Sequence, residues 1–170
     1  MSSERTKRGL RDLVLSLAVV GLFVAFLFVV VWRPSPDPVR TVDPAPVLLS
    51  AREQAGYPVY APTGLTGNWR ATSARFEADG DATVWFLGYV TPDDQYIAVA
   101  QTDGDAQNFI EEQTLDGSPD GEMTVDGQVW QRYTTTDQRS LVRSSDGSTV
   151  VVTGSVSYEQ LADFAGRLSA

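Results

Sequence analysis

The run from Leu13 to Trp32, LVLSLAVVGLFVAFLFVVVW, constrains this chain more than any other feature, because its twenty residues carry no charge. Wound as a helix at about 1.5 Å per residue, it reaches roughly 30 Å, the depth of a bilayer's hydrocarbon core. Fifteen of the twenty are Leu, Val or Phe. At about −0.3 to −0.6 kcal/mol each near a helix centre, they favour insertion by several kcal/mol. The tip before it, residues 1–12, sets Arg5, Lys7, Arg8 and Arg11 against Glu4 and Asp12. Positive charge on that side keeps the tip in the cytoplasm and sends the rest of the chain across. Arg33 and Arg40 on the far side weaken this bias without reversing it, and Trp32 stands where an interfacial aromatic belongs. A secretory signal would carry about 7 to 15 apolar residues followed by a small-x-small cleavage site. Val31, Trp32, Arg33 and Pro34 supply no such site, so an uncleaved, single-pass anchor is predicted over 13–32. Gly21 and Ala25 form a small-xxx-small pair through which two such helices could meet, although small residues are also ordinary filler in membrane helices.

Beyond the span, the chain is long enough for one ordinary domain on a spacer. Residues 33–46, RPSPDPVRTVDPAP, are dense enough in proline to favour extended polyproline backbone. The domain is expected over 47–170. The chain has no Cys and no His, and its one Lys is Lys7 in the tip. Thiol nucleophiles, disulfides, zinc sites of the usual kind, and serine activation by His or Lys are therefore excluded from the domain. Residues 33–170 hold nine Arg against twenty acids, a net of −11. Such a field repels nucleic acid and anionic headgroups alike.

Periodicity divides the domain into alternating strands and short helices. Asp43-Pro44 resembles a helix start, Val47, Leu48, Ala51 and Ala55 supply an apolar stripe, and Gly56 ends it. Tyr57 to Pro62 is proline-punctuated and reads as an extended connection. Strands are expected at about 68–76, 82–90 and 95–102. VWFLGYV, apolar on both alternating sides, has the pattern of a strand covered on both faces. Ala106, Phe109, Ile110 and Gln113 return to helical spacing, with Asp103 and Asp105 at the positive end of the dipole. Asp126-Gly127 predicts a tight hairpin between 123–125 and 128–133, and Asp146-Gly147 another between 139–144 and 148–153. Ser157 with Gln160 makes a capping box for a last helix whose apolar face is Tyr158, Leu161, Phe164, Ala165 and Leu168. Hairpins dominate and no βαβ alternation appears. The expected fold is α+β: an N-terminal transmembrane helix, then an antiparallel β-sheet domain with about three packed helices.

The stretches YPVYAPTGLTGNWRATSARF, FLGYVTPDDQYIAVAQTD and TVVVTGSVSYEQLADFAGRL, behind a charged tip and one anchor, resemble the actinobacterial single-pass membrane proteins grouped as domain of unknown function 4245. Tyr57-Pro58-Val59, Gly64-Leu65, Trp69-Arg70 and Thr153-Gly154 carry the likeness best. It implies a cell-envelope protein and brings no catalytic residues with it.

Few constellations suggest chemistry. Asp116 to Gly121 matches the first half of an EF-hand loop, but its twelfth position is Gly127 rather than a bidentate Glu. Asp103-Gly104-Asp105 fails the same way at Thr114, so no metal is expected. Glu111-Glu112 and Asp93-Asp94 are paired carboxylates, of a kind that usually faces water. No cofactor, metal or catalytic residue is assigned. The aromatics Tyr57, Tyr60 and Trp69, interleaved with Pro58 and Pro62, are the candidate binding residues, suited to a peptide or glycan groove or else to capping the sheet. The sequence points to a non-catalytic binding or assembly module of the cell envelope. Its partner would be an envelope protein or glycan; the competing possibility is a carboxylate-dependent enzyme such as a glycan hydrolase.

Overall fold

The computed structural model describes residues 17–24 and 40–170. The chain divides into two compact units, Met1–Pro38 and Val39–Ala170. In the first, residues 17–24 are helical with exposed side chains. The remainder of the predicted span, Ala25 included, the tip at 1–12 and residues 33–39 of the spacer lie outside the described residues. Among the described residues no helix is long and apolar enough to cross a membrane.

The second unit is α+β. Helix α1, Ala45–Gln54, follows Pro44, whose fixed φ suits a helix start, while the Asp43 carboxylate accepts from the Ala45 amide at 3.0 Å. Val42 donates to the Ala71 carbonyl at 2.8 Å. The folded unit thus takes in residues that proline content alone assigns to the spacer. The helix closes at Ala55 in extended backbone, one residue before the glycine expected to end it. After a two-residue strand β1, Ala61–Pro62, come β2 (Arg70–Asp79), β3 (Ala82–Val90) and β4 (Tyr96–Thr102). Helix α2, Ala106–Thr114, is capped by Asp105, whose carboxylate accepts from the Asn108 amide at 2.8 Å. Four strands come after it: β5 (Ser118–Val125), β6 (Gln128–Thr134), β7 (Arg139–Ser145) and β8 (Ser148–Gly154). Helix α3, Tyr158–Gly166, has both bonds of the Ser157–Gln160 capping box, and β9, Leu168–Ser169, pairs with β1.

Seven strands make one antiparallel sheet in the order β2-β3-β4-β8-β7-β6-β5. Two meanders meet where β4 lies against β8, joined through α2. The middle strand is β8, and every one of its seven residues is buried. Its closing Gly154 lies so near β4 that a Cβ there would overlap the Tyr96 carbonyl oxygen and stand 3.1 Å from the Ile97 Cα. That close approach is the physical reason for glycine in the Thr153-Gly154 pair.

Strand alternation sends side chains to two cores. Trp85, Leu87, Ile97, Val99, Leu141, Val150 and Val152 face α1, α3 and the 57–61 segment. Ala100, Val142 and Val151 face Phe109 of α2, with Val84 and Phe86 half-buried beside them. The two-sided apolar pattern of β3 is accounted for by this three-layer arrangement.

Candidate functional site

Tyr57, Tyr60 and Trp69 are close in sequence, and the fold sends them to different places. Tyr57 is buried, and its hydroxyl lies 3.3 Å from the carbonyls of both Thr83 and Gln101. Burial raises its pKa above the ordinary tyrosine value; the Thr83 hydroxyl opposes that shift and the Asp103 charge adds to it. Tyr60 is half-buried, with its hydroxyl donating to Asp146 at 3.1 Å and its ring 5.8 Å from the Arg143 guanidinium. The segment between them is tied down by Gln101, wholly buried in β4. Its side-chain amide donates to the Pro58 carbonyl at 2.7 Å and to the Ser148 hydroxyl at 2.9 Å, and its oxygen accepts from the Tyr60 amide at 3.0 Å. The Trp85 indole completes the clasp by donating to the Tyr60 carbonyl at 2.9 Å. Tyr57 and Tyr60 therefore fasten an extended segment onto the sheet.

Trp69 behaves differently. It stacks on Phe164 with centroids 5.9 Å apart and meets Tyr89 edge-on at 6.1 Å. This is a three-ring cluster of the offset and T-shaped kind that aromatic quadrupoles favour. Burial raises the pKa of Tyr89 in it. The Trp69 ring is only half-buried and lines two adjoining grooves. One, about 510 Å³, runs along Thr41 to Pro44, Pro62, Gly64, Leu65 and Tyr89. The other, about 500 Å³, is bounded by Gly67, Asn68, Pro92 and Asp94. Between them Arg70 is ion-paired with Asp94. An aromatic face, a guanidinium, exposed glycine backbone and a carboxylate thus stand together beside the point where the chain enters the domain. Sequence singled out Trp69 by residue type, and Arg70 is its neighbour in the chain; Tyr89 and Asp94 reach the same place only through β2–β3 pairing and the turn after β3.

A second cleft, about 530 Å³, lies beside α2, with Arg75, Val84 and Phe86 on the sheet side and Asn108, Phe109 and Glu112 on the helix side. Its acids Glu77, Asp79, Asp105 and Glu112 are all exposed. A general acid needs a carboxyl withdrawn from water, and these four face it. Of the predicted carboxylate pairs, Glu111 accepts from Gln107, Asp94 is held by Arg70, and Asp93 and Glu112 are exposed. The EF-hand-like stretch is mostly strand: β5 begins at Ser118, and Asp120 pairs with Arg132 at 2.6 Å, whose hydrogen bond holds that carboxyl below its usual range. Among the described residues no group of three or more acidic side chains is placed to hold a metal ion.

The chain matches the family described as "Protein of unknown function (DUF4245)" over residues 5–168. No curated protein and no solved structure matches it.

Proposed function

The chain belongs to the DUF4245 family, and from that premise we propose that it is a single-pass membrane protein whose outer domain binds an envelope partner without catalysing a reaction. In this account residues 13–32 anchor it, the tip at 1–12 is cytoplasmic, and the prolines of the spacer hold the α+β domain off an actinobacterial membrane. The observation that carries the binding role is Trp69. A half-buried indole, backed by Phe164 and Tyr89, stands at the junction of two grooves beside residues 41–44. Rigidly backed aromatics with one face open give contact area at little entropic cost, and they dominate binding surfaces for that reason. Residues 41–44 line the same groove, so a peptide there would meet both ring and main chain. A glycan would use the ring face and the Arg70–Asp94 pair.

Cross-linking in the native envelope followed by capture of the full-length chain tests this. Trp69→Ala should lose the partners captured by the unsubstituted chain, and Asn68→Arg, which fills a groove while leaving the ring cluster in place, should lose them too. A folded Asn68→Arg chain and a folded Trp69→Ala chain that both retain every partner would remove this surface from the account.

A further inference from the structure

The two ends of the seven-stranded sheet are finished differently. Strand β5 has Pro119, a register shift between Pro119 and Glu122, and Gly121 at φ 84°, three devices that spoil an edge for pairing. Strand β2, ten residues from Arg70 to Asp79, contains no proline and shifts register only between Ala71 and Ser73. Among the described residues, the one backbone hydrogen bond reaching β2 from outside the sheet is Val42 to Ala71. The residues alternating with Val42 are Arg40, Pro38, Pro36 and Pro34, and three of them have no N–H to give.

The unpaired main-chain groups of β2 can be assigned. The two-residue turn Gly80-Asp81, with Gly80 at φ 62°, closes on Asp79 and Ala82, which in such a hairpin form a hydrogen-bonded pair. Alternation along the ladder then turns Glu77, Arg75 and Ser73 inward to β3. The N–H and C=O of Ala74, Phe76 and Ala78 point outward. On the α2 side of the sheet, Arg75 lies 4.5 Å over the Phe86 ring, and among the described residues neither Arg75 nor Glu77 has an ion-pair partner.

We propose that β2 is the interface with a second copy of this chain, the two strands pairing antiparallel about Phe76. That register sets Phe76 against its own mate and Ala74 against the mate's Ala78, so every outward main-chain group is used. It sets Arg75 against the mate's Glu77 twice, by two-fold symmetry. Moving the centre one position toward Arg75 opposes two arginines, and one position toward Glu77 opposes two glutamates. Centring on Ala78 brings Glu77 against Asp79. Charge thus selects the Phe76-centred pairing, and two sheets become one of fourteen strands. The residues this pairing uses, 74–78, are not among those that line the Trp69 grooves.

The absence of cysteine from the chain makes the register directly readable. In the proposed pairing, residues 74 and 78 of opposite copies have Cα atoms about 5.5 Å apart, within disulfide reach. Residue 74 lies roughly 14 Å from its own counterpart, which is beyond it. Full-length chain in its membrane, carrying Ala74→Cys and Ala78→Cys together, should give disulfide-linked dimers on mild oxidation, while either substitution alone should give none. In the double-cysteine background, Arg75→Glu or Glu77→Arg should cut the dimer yield several-fold, and the two together should restore it. Sedimentation of the cysteine-free chain in detergent should follow the same pattern of loss and rescue. No cross-link from the double-cysteine chain, equal cross-linking from a single cysteine, or failure of the charge exchange to rescue would each overturn the proposal.

Discussion

Gln101 shows how one polar side chain can organise a domain. It is fully buried yet satisfied, because Pro58, Tyr60 and Ser148 supply partners from two separate segments; left unpaired, such an amide would cost about 1 to 3 kcal/mol. Tyr57 belongs to the same assembly and gives the fold an alkaline limit. Burial holds the Tyr57 and Tyr89 hydroxyls above their ordinary pKa, so the folded chain keeps these protons more tightly than the unfolded one. Their stabilising contribution is fully present below the unfolded tyrosine value of about 10 and is lost as pH rises through the folded values. Denaturant midpoints measured from pH 9 upward should fall steeply above pH 10, and the fall should be shallower in Tyr57→Phe. A midpoint independent of pH over this range would mean that these hydroxyls are not withheld from water.

Hairpins carry the element scale. Asp126 and Gly127 have φ of 48° and 77°, and Asp146 and Gly147 have 53° and 77°, the all-positive pattern of the primed turn that suits twisted strands. A β-branched residue tolerates that region badly. Gly127→Val should therefore destabilise the protein by about 1 kcal/mol or more in a denaturant titration, and unchanged stability would place the control of that hairpin elsewhere. Local signals of this sort made both Asp-Gly hairpins, α3 and its capping box legible in the sequence, and strands β2 to β4 to within a few residues. The first half of β5 was not legible, since Ser118-Pro119-Asp120-Gly121 has turn chemistry and becomes strand only because an edge tolerates proline. Nor was the β4–β8 contact, which joins residues about fifty positions apart and leaves no periodic mark. The candidate site was half legible for a related reason. Residue type identified Trp69, but Tyr57 and Tyr60 are drawn away from it by Gln101 and Asp146, partners that only the folded sheet supplies.

At the scale of the whole molecule the chain is polarised in charge and in its edges. A basic tip precedes an apolar run, an acidic domain comes after it, and one margin of that domain's sheet is spoiled for pairing while the other runs in regular register from Ser73 to Asp79. Burial of the central strand between helices on both faces explains how a domain without cysteine can fold. In the proposed topology residues 13–32 hold this domain on the outer face of the membrane. That topology is tested most directly by labelling single-cysteine variants of the otherwise cysteine-free chain with a membrane-impermeant thiol reagent on intact cells. Ser35→Cys should be labelled on a chain that stays with the membrane fraction, and Ser3→Cys should be labelled only after lysis. Labelling of Ser3→Cys on intact cells, or of Ser35→Cys only after lysis, would contradict the account.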